Sequence, residues 1–233
     1  MHPRVMSRGL KGLAMSAAVA ACAPSHAQPS LGANPAAITD WSPTDEFADV
    51  ARHARRFGSA ASPWDEAAPV DAEGWPTGDA GVVLICCRRS PAGLGGTYRV
   101  SFECATSPTI SLVASTGSVA NVRRDAATGI VTADVILADS SVQLMLSFTG
   151  TRGGIRRLSV MRPGLPVTQR FTAPFLQHND RFSTLRFMDW NLVNNSRVTT
   201  WAQRSTLTQA SWRERTGVPY EVCIDLCNAV RSD

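Results

Sequence analysis

Residues 97–104 read TYRVSFEC, and this stretch decides the predicted fold. Apolar and polar side chains alternate along it with a period of two, which is the pattern of a β-strand with one buried face. A Gly-rich turn at 93–96 precedes it, and before that turn lies a continuous apolar run, VVLICC, at 82–87. The two stretches therefore predict two consecutive strands.

Five more short strands follow at a spacing of about ten residues, separated by turn sequences such as Ser-Pro and Thr-Gly. Their predicted bounds are 109–113, 119–122, 129–137, 142–148 and 155–161. Short strands at this spacing are typical of a sandwich. The predicted fold class is mostly β: an antiparallel β-sandwich of about seven strands, followed by a short incomplete βα segment.

The regions on either side of these strands differ in composition. Residues 28–80 are rich in Ala, Pro and Asp, and apolar residues at helical spacing predict one helix over 44–57. After a Pro- and Gly-rich linker come a short helix, a strand at 183–190, a long loop and a final helix at 219–230. The predicted organisation is a signal peptide at 1–27, an irregular or helical segment at 28–80, a β-sandwich at 81–164 and an incomplete βα segment at 165–233.

The N-terminus predicts export. Arg4, Arg8 and Lys11 form a basic leader, and residues 13–23 are apolar or small apart from one serine. Residues 25–27, SHA, offer small side chains at the positions that a signal peptidase reads. The apolar stretch is about 11 residues long, too short to span a bilayer. Together these features predict a secretory signal peptide.

A second processing site overlaps the first. Residues 19–22, VAAC, resemble a bacterial lipobox, in which Cys22 becomes the lipidated first residue. The lipobox usually carries Leu where this chain has Val19, so cleavage after Ala27 is the preferred alternative. The protein is therefore predicted to be extracytoplasmic, secreted or periplasmic, and to be membrane-anchored only if Cys22 is lipidated.

The composition disfavours nucleic acid as a partner. The net charge is +4, but many of the arginines occur in pairs near predicted strand ends, and aromatic residues make up only 7% of the chain. A nucleic-acid binder more often shows a dense basic stripe with interleaved aromatics. Paired arginines at strand ends are typical of solvated turns.

Six cysteines are present, one of them within the signal. Cys86 and Cys87 are adjacent at the end of one predicted strand, and Cys104 lies on the next. Because disulfides are common in exported proteins, we expect a bridge from Cys104 to one of the pair, with Cys87 as the preferred partner. Cys223 and Cys227 share one face of the last helix, and without a second His/Cys pair nearby they predict buried thiols rather than zinc ligands.

The C-terminal region carries a series of spaced motifs. They are LRFMDW at 185–190, NNS at 194–196, Trp201 with Arg204, Trp212, and GVPYE at 217–221. These motifs resemble the start of the barrel domain in a family of large secreted bacterial proteins related to glycoside hydrolases. The sequence IRRLSVMRPG at 155–164 also resembles the accessory sandwich that precedes the barrel in that family.

The resemblance implies a TIM barrel of which only the first βα unit is present, since a complete barrel needs at least about 200 residues. The catalytic carboxylates of the family lie on later units, so no catalytic residue, metal or cofactor is predicted. Asp189 is a single carboxylate and is predicted to bind substrate or to support the structure. Phe187, Val222 and Leu226 would lack cover from neighbouring strands, so residues 184–230 are expected to pack loosely.

A polysaccharide or oligosaccharide is the predicted partner. Sugar sites stack a ring on an exposed aromatic side chain, whose flat apolar face suits this contact, and bind hydroxyls with Asp, Asn or Arg. One candidate group lies at the base of the long loop and another precedes the strands. The predicted substrate-binding residues are Asp189, Trp190, Asn191, Asn194, Trp64 and Trp75.

Two classes of function are consistent with the sequence. The first is an exported carbohydrate-binding or accessory module, or a truncated glycoside-hydrolase-like protein without a complete catalytic site. The alternative is an extracytoplasmic structural or protein-interaction sandwich, because fold does not imply function. An intact small enzyme has the weakest support, since the chain contains no nucleophile elbow, no His-Glu-x-x-His and no Walker loop.

Overall fold

The structure is a computed structural model that describes residues 31–87, 93–194, 196–213 and 216–231. The predicted signal peptide at 1–27 and the lipidation site at Cys22 lie outside the described residues. In chain order the strands are β1 Gly32–Ala33, β2 Ala80–Ile85, β3 Gly96–Glu103, β4 Thr109–Leu112, β5 Gly117–Arg124, β6 Ile130–Leu137, β7 Leu144–Thr149, β8 Arg156–Met161 and β9 Thr184–Leu185. The α-helices are α1 Ala173–Asn179 and α2 Tyr220–Val230, and short 3-10 helices lie at Val50–His53 and Trp201–Gln203.

Antiparallel strands dominate the regular structure. β2, β7 and β4 form a three-stranded sheet in that order, and β5, β6, β3 and β8 form a four-stranded sheet. Every pairing within these two sheets is antiparallel. The prediction of a mostly β fold is therefore confirmed.

The alternation along β3 produces one buried face, because Tyr98, Val100 and Phe102 are buried and their neighbours are not. Residues from both sheets join one hydrophobic cluster, which we call the first core. Phe102 of the four-stranded sheet meets Phe148 of the three-stranded sheet edge to face, with ring centroids 5.1 Å apart. Each large apolar side chain buried in this way contributes about 1.5–3 kcal/mol to stability.

A second hydrophobic cluster, the second core, surrounds α1 and α2. Val222 and Leu226 are fully buried there and Phe187 is half-buried, so the expectation of loose packing at these side chains is wrong. The missing cover is supplied by the N-terminal segment, through Ile38 and Phe47, rather than by further barrel strands. Ile38 and Phe47 therefore share a core with the residues around α1 and α2.

The prediction of a helix over 44–57 is wrong. Only Val50–His53 is helical, as a 3-10 turn, and Phe47 forms an antiparallel bridge with Phe171. Phe47 packs in the second core, whereas Val50 packs in the first. A helix would place residues at this spacing on one face. The apolar residues are buried, as their spacing suggests, but in two different cores.

Of the strand predicted at 183–190, only Thr184–Leu185 is observed as a strand, β9, which pairs in parallel with β1. Beyond Leu185 the chain turns, and the amide of Asn191 donates to the carbonyl oxygen of Phe187 at 3.0 Å. Along a strand, Leu185 and Trp190 would point to opposite faces. The turn allows both side chains to enter the second core.

Both predicted C-terminal helices are present. The hydroxyl of Thr172 accepts from the backbone at the start of α1, and Pro174 lies in its first turn, where its missing amide proton costs nothing. The helix α2 buries Val222, Leu226 and Val230 on one face. The helical spacing in the sequence therefore predicted the buried face of α2 correctly.

The predicted bridge between Cys87 and Cys104 is wrong. The disulfide joins the neighbours Cys86 and Cys87. Cys104 is a buried free thiol with its Sγ 3.6 Å from the carbonyl oxygen of Thr151. β2 ends at Ile85 and Cys87 has a φ of 57°, so the pair leaves the strand instead of alternating across it.

Candidate functional site

Two of the tryptophans predicted to bind sugar are buried. Trp75 is 2% exposed and its Nε1 donates to the carbonyl oxygen of Thr208 at 3.0 Å. Trp190 is 1% exposed and its Nε1 donates to the carbonyl oxygen of Ala36 at 3.0 Å. Neither ring has a face available for a ligand, so the prediction that they stack sugars is wrong. Both are core residues with satisfied indole protons.

The polar residues predicted beside Trp190 serve mainly to hold the chain. Asp189 Oδ2 accepts a hydrogen bond of 2.6 Å from Asn34 Nδ2, and Asn191 Nδ2 donates to the carbonyl oxygen of Val218 at 2.9 Å. Asn194 is exposed. Asp189 and Asn191 thus fix the loop after β9 to the N-terminal segment and to the start of α2. Asn34 was missed by sequence reasoning, because nothing in its surroundings indicates a partner 155 residues away.

Three tryptophans expose a large part of their surface: Trp41 at 53%, Trp64 at 49% and Trp201 at 67%. Trp64 is therefore the predicted sugar-binding tryptophan that does reach solvent. Trp41 is engaged by two guanidinium groups, with Arg55 and Arg213 at 5.9 and 5.3 Å from its ring centre. Trp201 offers the largest exposed aromatic surface of the three.

Trp201 stands next to Tyr220, and the two rings are nearly parallel, 6° apart in tilt with centroids separated by 5.9 Å. Tyr220 is 43% exposed. The guanidinium of Arg204 lies 4.1 Å from the centre of the Trp201 ring, and its terminal nitrogen is 3.3 Å from Oε1 of Glu221. We call these four residues the aromatic platform.

Local sequence fixes the aromatic platform in place. Gln203 Oε1 accepts from the amides of Thr199 and Thr200 at 2.8 and 3.1 Å, which closes the turn that carries Trp201. Pro219 ends the preceding loop with φ −56°, and Tyr220 opens α2 directly after it. The ring on the loop and the ring on the helix are therefore both set by short, rigid segments.

The aromatic platform combines aromatic surface with charged groups. Arg204 donates to the carbonyl oxygen of Trp201 at 3.2 Å as well as to Glu221, so its guanidinium is held over the Trp201 ring. Two parallel aromatic rings suit the apolar face of a sugar, while a guanidinium and a carboxylate suit its hydroxyls. A half-exposed carboxylate and an arginine without a nucleophile or a second acid do not make a hydrolytic pair.

These four residues belong to the C-terminal motifs but are not among the predicted substrate-binding residues. Trp201 and Arg204 belong to one of the motifs in the C-terminal region, and Tyr220 and Glu221 belong to GVPYE. The two motifs meet in the structure although Arg204 and Glu221 are 17 residues apart. Their co-occurrence was the available signal, but exposure cannot be read from the sequence.

Cys223, on α2, is a buried cysteine with a perturbed pKa. Its Sγ lies 3.8 Å from Oδ1 of Asn191, and burial raises the pKa of the Cys223 thiol to about 12. A thiol with so high a pKa stays protonated at neutral pH and is a poor nucleophile. The prediction of a buried thiol is confirmed at Cys223.

Within the residues that the structure describes, no cluster of His, Cys, Asp and Glu side chains could hold a metal ion. A helix with the length and apolar character needed to cross a bilayer is likewise not found in the described ranges.

Comparison with known proteins adds no relative. The chain matches no protein-family model, and no curated protein or solved structure matches it significantly. The resemblance to secreted proteins related to glycoside hydrolases therefore depends on the sequence motifs alone.

Proposed function

We propose that this chain is an exported carbohydrate-binding module whose sugar site is the aromatic platform. The observation that carries the proposal is the exposed parallel pair Trp201 and Tyr220, with Arg204 over the Trp201 ring and paired with Glu221. These residues belong to motifs that resemble those of secreted proteins related to glycoside hydrolases. The basic leader, apolar stretch and small-residue cleavage site at the N-terminus support export.

We further propose that the two antiparallel sheets face each other as the layers of a β-sandwich. The shared first core and the contact of Phe102 with Phe148 support this arrangement. In this proposal the sandwich is an accessory module, and the region after it is a modified start of a barrel. Its Asp189 supports the structure through Asn34 rather than acting on a substrate.

The test is retention of the purified mature chain on insoluble cellulose, xylan, chitin and mannan. If the aromatic platform binds sugar, Trp201→Ala lowers retention on the preferred glycan by about tenfold, because a lost aromatic stack and its buried area are together worth about 1.4 kcal/mol or more. Trp201 is largely exposed, so the substitution changes stability by about 0.5 kcal/mol or less.

Trp64→Ala is the matched control, because it removes another exposed tryptophan of similar size. Retention by Trp64→Ala equal to the unmodified chain, with loss in Trp201→Ala, supports the aromatic platform. The reverse result would move the sugar site to Trp64 and overturn the assignment of the platform. Failure of the unmodified chain to bind any of the four glycans would reject carbohydrate binding for these ligands and favour the interaction module.

A further inference from the structure

A second cleft lies far along the chain from the aromatic platform, at one end of the two sheets. It has a volume of about 380 Å³ and lies between the β5–β6 turn and the turn that joins β7 to β8. Three arginines line it: Arg124, Arg152 and Arg156. Glu103 is the acidic residue in its wall, and its carboxylate already pairs with Arg157 at 3.2 Å. The cleft is therefore strongly basic.

Two of the three guanidinium groups retain free hydrogen-bond donors. Arg124 uses its Nε to bind the carbonyl oxygen of Cys104 at 3.1 Å, which leaves both terminal nitrogens for another acceptor. Arg152 is exposed. Among the described residues, no carboxylate lies within ion-pair distance of Arg124 or Arg152. Arg156, in contrast, pairs with Asp71 at 2.7 Å.

The turn that carries Arg152 is held rigidly by a carboxylate outside the cleft. Asp79 Oδ1 accepts from the amide and the hydroxyl of Thr151, both at 2.8 Å, and its Oδ2 accepts from the amide of Gly150 at 2.9 Å. These hydrogen bonds lower the pKa of Asp79, the bond from the Thr151 amide most strongly. Asp79 therefore stays ionised at neutral pH and keeps the turn closed.

The backbone of this turn is also unusual. Arg152 has a φ of 46°, and Gly153 and Gly154 follow with φ of 127° and 88°. A left-handed conformation costs a non-glycine residue of order 1 kcal/mol, and such residues cluster at ligand-binding sites. Gly154 is required, since a Cβ there would overlap the carbonyl oxygen of Pro76. The strained turn directs the chain so that Arg152 lines the cleft across from Arg124.

We propose that this cleft binds an oxyanion: a sulfate, phosphate or carboxylate group carried by a ligand. Guanidinium groups bind such groups through paired, charge-assisted hydrogen bonds. Arg124 and Arg152 supply the donors, whereas the charge of Arg156 is already paired with Asp71. The site is independent of the aromatic platform and requires no chemistry at the bound group.

The test is isothermal titration of the purified mature chain with sodium sulfate, sodium phosphate and sodium glucuronate, at ionic strength held constant with chloride. Saturable binding of at least one probe is expected. Arg124→Gln and Arg152→Gln each weaken that binding by about tenfold or more, because each removes charge-assisted hydrogen bonds. Thermal denaturation of both variants checks that they fold.

Arg123→Gln is the matched control. It removes the same charge one residue away, but successive residues of a strand point to opposite sides, so Arg123 does not line the cleft. The control is expected to bind within about twofold of the unmodified chain. The charge of Arg123 makes no direct contact in the cleft, and its electrostatic effect on the bound anion is screened by the solvent and salt. Sulfate and phosphate binding without glucuronate identifies a tetrahedral oxyanion, and glucuronate binding alone identifies a carboxylate.

Two results overturn the proposal. The first is no saturable binding of any of the three probes by the unmodified chain. The second is an equal loss in Arg123→Gln and Arg152→Gln, which would show a general effect of surface charge. Because the sugar test uses Trp201 and neutral glycans, either proposal can fail while the other stands.

Discussion

Leu226 offers a direct test of the second core. The side chain is 0% exposed, and it packs on one face of α2 against the cluster that contains Phe47, Trp190 and Trp212. Leu226→Ala removes it without removing any hydrogen bond, and alanine favours the helix. In a well-packed core, replacing leucine by alanine costs about 2–5 kcal/mol, depending on how far the surroundings collapse into the space.

The expected loss can be converted into a change of melting temperature. For a chain of 150–250 residues, 1 kcal/mol shifts Tm by about 2–4 °C, so Leu226→Ala should lower Tm by about 4–20 °C. The measurement is thermal and urea denaturation followed by circular dichroism and by tryptophan fluorescence. Trp190 and Trp212 lie in the second core and Trp75 in the first, so the fluorescence reports on both.

Ile224→Ala is the matched control for this experiment. Ile224 lies on the same helix, two residues away, but is 58% exposed. Its replacement should change stability by about 0.5 kcal/mol or less. If Leu226→Ala and Ile224→Ala melt within about 2 °C of each other, α2 is not packed as described and the second core is refuted. Transitions that do not coincide between the two probes would show that unfolding passes through a populated intermediate.

Two further outcomes are expected. The hydrogen bonds that lower the pKa of Asp79 stabilise the folded chain above the ordinary aspartate pKa of about 3.9, and this stabilisation is lost as pH falls through the lower folded value. Asp79→Asn should therefore be less stable than the unmodified chain at pH 7, and the difference should narrow as the pH falls below the ordinary aspartate value; a constant difference would contradict this account. In the denatured, unreduced mature chain, maleimide should label Cys104, Cys223 and Cys227 but not Cys86–Cys87, as read by peptide mass analysis. Labelling of Cys87 but not Cys104 would contradict the observed pairing.

The mostly β character could be predicted from the sequence because the pattern of a strand is local. In 97–104 every second residue is apolar, and β3 buries those residues. The face of α2 was equally predictable, since Val222, Leu226 and Val230 repeat every four residues. In both cases one element packs on one core, so the period of the sequence equals the period of the structure.

The incorrect predictions arise where contacts with distant segments decide the course of the chain. Residues 44–57 have helical spacing, but Phe47 and Val50 are buried in different cores, and the chain crosses between them in a mostly extended form. Residues 183–190 were predicted as one strand, but the chain turns after Leu185, and Leu185 and Trp190 enter the same core. Nothing local in the sequence encodes which distant partner will cover a side chain.

The aromatic platform could not be identified from the sequence for a related reason. Tryptophan is a core residue or a surface residue according to its surroundings, and the sequence favoured Trp75 and Trp190, which are both buried. Trp201 and Tyr220 become a site only when a loop and a helix N-terminus meet. Gln203 closes the turn that carries Trp201, and Pro219 directly precedes Tyr220 at the start of α2. These roles can be recognised only from the three-dimensional structure.

The pairing of β1 with β9 has a consequence for the order of folding. Gly32 pairs with Thr184 and Ala33 with Leu185. The first described strand therefore cannot pair until residues some 150 positions later in the chain are present. Contacts of such long separation close late and slowly, because the intervening loop must first lose its entropy. During synthesis the first core can therefore assemble from β2–β8 while Ile38 and Phe47 are still uncovered. Until residues up to 230 have emerged, those side chains lack the cover of α2 and are accessible to a chaperone or to another chain.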